Sequence, residues 1–253
     1  MATPTALGGT EADTLARTFR PTFYFWMILL MAVFVFGGFG MTYWYPLATG
    51  RFSPAPPVVH LHGMVFFVWM ILLAVQPTLV GFRNVALHRS VGTFGISLAT
   101  AVLFMGMIIT LLGAMANREH PGATFYHGIY LGFMAVAGFG LLFTLAIRNV
   151  RRPEIHKRLM LLAMLPLLPP GIHRFYMVPL GLREFPITAM YLTLDAMAVA
   201  IIVQEWRSTG RVGLYTRIGV AWILVQQALH YPVTHSQWFA DFVYAVGGMM
   251  HYR

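Results

Sequence analysis

Apolar residues come in blocks along this chain, and polar and basic residues crowd into the short gaps between them. A helix that crosses a membrane needs ~20 mostly apolar residues. Seven runs fit that demand, at about 22–46, 58–81, 91–114, 124–147, 157–179, 186–205 and 216–231. The fifth carries Pro166 and then Pro169-Pro170-Gly171. Proline removes a backbone donor and clashes with the preceding turn, so this helix is predicted to kink or break there. The seventh is short and closes at Tyr231-Pro232. The stretch from Ser236 to Gly248 is again apolar and aromatic and predicts a short interfacial helix. The expectation is an all-α polytopic membrane bundle: a cytoplasmic tail over 1–21, then one transmembrane domain over 22–253 with about seven spans.

Composition agrees. Of 253 residues, 58% are hydrophobic and 10% charged, with a mean hydropathy of +0.69. Soluble domains carry about 25% charged residues. Cysteine is absent, which excludes disulfides, iron–sulfur clusters and thiolate metal sites. A net charge of +9 could signal nucleic acid, but its distribution argues for orientation in a membrane instead. Cytoplasmic loops are enriched in Lys and Arg. With the N-terminus inside, the outer segments hold only Arg51, Arg118, Arg174, Arg183 and Arg253, and the other 12 of the 17 basic residues fall inside. That alternation needs an odd number of spans and puts the C-terminus outside. The chain is therefore expected in a bacterial inner membrane, with lipid as its surroundings and no nucleic-acid partner.

Histidine carries the candidate chemistry. Six of the ten fall near the predicted outer ends of spans: His60 and His62 on the second, His127 on the fourth, His173 on the fifth, His230 and His235 on the seventh. Imidazole is costly near lipid and is the commonest neutral metal ligand. His60, His62, His127, His173 and His230 are the candidate metal ligands; neutral imidazoles suit copper, zinc or non-haem iron as well as haem iron. Haem b would use two histidines on facing helices, and His62 with His127 is the simplest outer pair. His60 and His62, two residues apart, point about 200° apart on a helix, so one site cannot take both; His62, followed by Phe66 and Trp69, is predicted to face inward. Gln226, one turn before His230, is a candidate to fix that ring. Gly128 and Gly132 would let a flat cofactor or a neighbouring helix approach. Arg174 and Arg183 form an outer cationic patch able to hold haem propionates, an anionic substrate or lipid phosphate.

Two inner histidines sit in matching basic contexts, His88-Arg89-Ser90-Val91-Gly92 and His156-Lys157-Arg158-Leu159-Met160. Together with His60-Leu61-His62-Gly63 and the Glu205-Trp206-Arg207 to Gly210-Arg211 turn, they resemble a family of bacterial multi-pass membrane proteins without a settled activity, over about residues 58–212. That resemblance implies a fold and little chemistry. A looser likeness is to the cytochrome b561 group, which implies haem-ligating pairs toward both membrane faces: His62 with His127 outside, His88 with His156 inside.

Asp195 lies mid-span, where a carboxylate is costly, and marks a proton-relay or ligand-supporting position. The Gln76-Pro77 pair predicts a kink with a satisfied amide. Three functions fit these residues: a haem or metal redox protein exchanging electrons with a quinone or a redox partner protein; a non-catalytic accessory or assembly subunit; and a small proton-coupled transporter using Asp195 and the outer histidines.

Overall fold

A computed structural model describes residues 19–116, 125–182 and 185–249, and every element among them is helical. Most of the 1–21 tail, the His120-Pro121-Gly122 turn, Arg118, Arg183 and His251 lie outside the described residues. Helix α1 (Phe23–Ala48) contains a π-helical turn at Gly40–Trp44. Then come α2 (Pro57–Gly81), α3 (Val85–Ala116), α4 (Phe125–Arg148), α5 (Pro153–Met164), α6 (Pro169–Leu180), α7 (Ile187–Thr209), α8 (Leu214–Thr234) and α9 (Gln237–Met249). Five of these, α1 to α4 and α7, are long and apolar enough to cross a membrane, and α5 with α6 makes a sixth if the bent pair is one span. The proline-rich break lies where the sequence predicts it: a 3-10 turn at Leu165–Leu167 separates α5 from α6, and the pair bends by 53°. Helix α8 has the length for a seventh span, ~30 Å at 1.5 Å per residue, but Arg217, Gln226, Gln227 and His230 dilute its apolar character. Helix α9, at 13 residues, is too short to cross. It packs along α3, burying Phe239 and Val243, with Phe239 and Phe242 against Tyr126, Tyr130 and Phe133 of α4.

The core runs between the helices through Met31, Met70, Tyr130, Phe139, Leu142, Leu162, Ile172 and Met190. Large apolar side chains also cover the outside: Trp26, Phe94, Phe104 and Leu192 are more than half exposed. A soluble monomer does not present so much apolar surface, whereas a bilayer solvates it. Helices approach closely where side chains are absent. Gly132 accepts the side chain of Thr110 from α3, so this glycine serves a neighbouring helix, while among the described residues nothing lies within 4 Å of where a Cβ on Gly128 would sit. A Cβ on buried Gly38 would run into the Gly171 carbonyl oxygen of α6, and backbone cannot rotate away. Overpacking of this kind costs about 1–3 kcal/mol. Gly38→Ala is therefore expected to lower the melting temperature by several degrees in a thermal shift measurement, and Gly128→Ala to leave it unchanged.

Among the described residues, one charged pair is buried. Arg158 of α5 donates from Nη1 to Glu205 Oε1 of α7 at 2.5 Å, and the two side chains are 6% and 5% exposed. Glu154 reaches the same guanidinium at 3.3 Å and Lys157 at 2.6 Å. This cluster lies at the arginine-rich end of the bundle, opposite the end where most histidines gather.

Candidate functional site

At the histidine-rich end, α4, α7 and α8 bring four polar side chains into one connected series. His230 is 3% exposed. Its Nδ1 lies 2.5 Å from the Tyr191 hydroxyl of α7, and its Nε2 lies 2.9 Å from His127 Nδ1 of α4. Both ring nitrogens are therefore engaged, as a buried imidazole requires. Tyr130, one turn below His127 on α4, stacks on the His230 ring at 5.0 Å and 11°, and its hydroxyl donates to the Gln226 carbonyl at 2.7 Å. His127 then faces an open pocket of about 360 Å³ lined by Tyr126, Thr234, His235, Ser236, Gln237 and Ala240. The His235 ring is 5.8 Å from that of His127 and is held by the Tyr231 carbonyl and the Tyr231 ring.

The amide predicted to orient His230 does something else. Gln226 is 1% exposed, and neither side-chain Nε2 nor Oε1 has a partner among the described residues. Tyr191, His127 and the Tyr130 face hold the ring instead. The neighbouring Gln227 donates from Nε2 to Asp195 Oδ1 at 2.7 Å, which gives the mid-span carboxyl its partner. Asp195 lies one turn from Tyr191 on α7.

The remaining outer histidines do not join this series. Their helices turn them toward other neighbours. His60 Nδ1 pairs with the Tyr43 hydroxyl at 2.7 Å, from the π-helical turn of α1. His62 packs on Phe66 at 4.3 Å, and its buried Nδ1 has no hydrogen-bond partner among the described residues. His173 stacks on Phe185 at 4.4 Å. Arg174 donates to the Pro170 carbonyl at 2.8 Å and lies over the Phe39 ring. Among the described residues, no three histidine, aspartate or glutamate side chains are grouped so that they could hold a metal ion. The convergence of His60, His62, His127, His173 and His230 expected from their shared depth is thus replaced by one coupled pair, His127 with His230, and three separate rings. Depth along a helix is set by sequence position, but azimuth is set by packing.

At the opposite end, His88 and His156 lie inside the first turns of α3 and α5 rather than before them, because α3 starts at Val85. His156 Nδ1 donates to the Ala146 carbonyl at 2.9 Å. Gln76, with its amide turned to satisfy both ends, donates to His88 Nδ1 and to the His88 carbonyl at 3.2 Å, and accepts from the Gly92 N–H at 3.1 Å. The satisfied amide predicted for Gln76 is therefore realised.

Sequence reasoning missed Tyr130 and Gln227, and it offers Tyr191 only as a donor to Asp195 one turn away, whereas the hydroxyl meets His230. The available signal was their spacing: Tyr191 is one turn from Asp195, and Gln227 is three residues before His230. Comparison with protein families, curated proteins and solved structures gives no match.

Proposed function

We propose that this chain handles protons, as a small proton-coupled transporter whose relay lies at the histidine-rich end of the bundle. One observation carries the reading: Tyr191, His230 and His127 form an unbroken hydrogen-bonded series across three helices, and the series ends at a pocket. A neutral imidazole has one donor and one acceptor nitrogen. With Tyr191 donating to His230 Nδ1, His230 donates from Nε2 to His127 Nδ1, and His127 presents Nε2–H onward. Loss of that proton to a molecule in the pocket lets each hydrogen move one place. Tyr191 gives its proton to His230 and must then be reprotonated from the interior side of the bundle, toward Asp195 one turn away on α7. Each proton passed leaves both imidazoles in the opposite tautomer, so the rings must reorient before the next one follows.

The charge count supports seven spans with the N-terminus in the cytoplasm and the relay facing outward in a bacterial inner membrane. The polar series then belongs to the class of intramembrane ionisable groups that mark proton pathways. Reconstituted into vesicles with an enclosed pH-sensitive dye, the protein is expected to dissipate an imposed pH gradient, and Tyr191→Phe to slow it about tenfold. A wild-type rate equal to that of empty vesicles would end this reading. Haem b, on His62 with His127 and on His88 with His156, is the competing proposal, and copper, zinc or non-haem iron its variant. Its forecast differs: the purified protein would show a Soret band, or a stoichiometric metal by elemental analysis.

A further inference from the structure

The relay needs a fresh proton at Tyr191 for each one it releases, and the packing of α7 bars the way from the arginine-rich end. Between Asp195 and Glu205 the inward side of α7 is apolar: Met197, Ala198 and Ile201 are at most 4% exposed. Leu162, one turn from Arg158 on α5, and Ile223 of α8 are also sealed, and Leu162 fills the space beside Gly219. A proton moves between groups within hydrogen-bond reach or through a bridging water. A layer of packed carbon offers neither. On the far side of that layer stands the buried Arg158–Glu205 pair.

The same helix has room to move at that end. Its polar ties to other helices cluster at one level: Tyr191 with His230, Thr193 with the Tyr176 hydroxyl of α6 at 2.9 Å, and Asp195 with Gln227. Glu205 lies ~18 Å beyond Thr193 at 1.5 Å per residue. Among the described residues, its bond to Arg158 is the polar tie that fastens this arm of α7 to another helix. Alongside, a groove of about 500 Å³ opens between Met27, Leu30 and Phe34 of α1 and Leu192, Ala196 and Ala200 of α7. The two alanines let helices approach closely, and in a bilayer only lipid has to be displaced. The ion pair is also incompletely bonded: Arg158 Nε and Glu205 Oε2 are buried without partners among the described residues. Desolvation offsets much of the attraction in such a pair, so parting both charges into water costs less than deleting one of them.

We propose that the Arg158–Glu205 pair is the gate through which the relay is recharged, an inference that rests on the proton-handling reading above. With the pair made, the layer of Met197, Ala198 and Ile201 is shut. When it parts, the arm of α7 beyond Thr193 swings into the groove toward α1, and water reaches Asp195 from the arginine-rich end. The ties at Tyr191, Thr193 and Asp195 lie at the pivot, so the relay stays assembled while its supply opens.

The chain contains no cysteine, so single introduced thiols report the gate directly. Ile201→Cys puts one in the apolar layer, and Leu142→Cys puts one in the core of α4; both positions are 0% exposed. The full-length proteins, purified in a neutral maltoside detergent, are treated with a charged, water-soluble methanethiosulfonate, and labelling is followed by mass spectrometry. Adding Glu205→Gln to Ile201→Cys is expected to raise its labelling rate about tenfold, as the open state gains population. Leu142→Cys should stay unlabelled in either background. Arg158→Lys, which keeps the charge but loses the planar fork, should act in the same direction and decides the matter if Glu205→Gln fails to purify. Unchanged labelling of Ile201→Cys in these backgrounds overturns the proposal. So does labelling of Leu142→Cys that rises in step, because that reports general loosening. In the vesicle assay Glu205→Gln is expected to speed proton movement about threefold, as a loosened gate should, and Tyr191→Phe to remove the gain. A wild-type rate for Glu205→Gln would overturn the part of the gate in recharging. If wild-type vesicles move no protons at all, the relay fails, while the labelling rates still decide whether the pair opens.

Discussion

Glu205→Leu should destabilise the protein by about 3–5 kcal/mol, the usual cost of removing one member of a buried ion pair. The substitution leaves the Arg158 guanidinium buried against α7, with Glu154 at 3.3 Å as its remaining anion. Glu154 is on the same helix as Arg158, so that contact cannot hold α5 to α7. Glu205 is also fitted to its surroundings: a Cβ on Gly213 would come within 3.0 Å of its Oε1, so the turn after α7 closes directly over the carboxylate. For a chain of this size the cost corresponds to a fall in melting temperature of roughly 10 °C. Arg158→Met combined with Glu205→Leu should recover most of that loss, because desolvation of two charges offsets much of their attraction. Thermal unfolding of the two variants in the same detergent checks both statements. A single variant that melts within a few degrees of wild type would show that water reaches this pair.

The fold was largely legible because lipid imposes a simple rule: runs of apolar residues long enough to cross become helices. The break in the fifth run was legible for an equally local reason, since proline cannot complete the backbone ladder at Pro166 and Pro169. Helix starts were harder. The segment Val85–Ser90 closes on His88-Arg89-Ser90, and hydropathy reports what a bilayer accepts rather than what is helical. The span count differs for the same reason: α8 is helical over 21 residues yet more polar than the five long helices that can cross a membrane. The site was legible only in depth. Six histidines at one end could be read from their positions, but the direction each ring faces depends on how helices rotate against their neighbours. Gln226 and Gln227 illustrate this. They are adjacent, yet one hydrogen-bonds Asp195 through its side chain, and the other is sealed in the core and touches the site through its carbonyl. Tyr191 was legible as a neighbour of Asp195, but its pairing with His230 was hidden because that contact crosses from α7 to α8. The Arg158–Glu205 pair was hidden too, since both residues lie near helix ends that read as wet.

His230→Gln should slow proton movement by roughly 10²-fold, the size of effect that removing a positioned proton-transfer group produces. Glutamine fills a similar volume and can accept and donate hydrogen bonds, but it cannot exchange a proton between two nitrogens. The ring stack on Tyr130 is lost, but the amide can still hydrogen-bond Tyr191 and His127, and the Tyr130 bond to the Gln226 carbonyl does not involve the imidazole. The variant should therefore fold, with a melting temperature close to wild type. A second measurement separates a relay from a set of unrelated polar ties. In a series, one missing member already stops transfer, so groups that act as a unit give strongly non-additive losses. His127→Gln should match His230→Gln, and the double variant should be no slower than either. His173→Gln, whose ring stacks on Phe185 outside the series, should move protons at the wild-type rate. If the double variant instead loses the product of the two single effects, His127 and His230 act separately. The hydrogen bond between them would then be a structural tie with no part in proton movement.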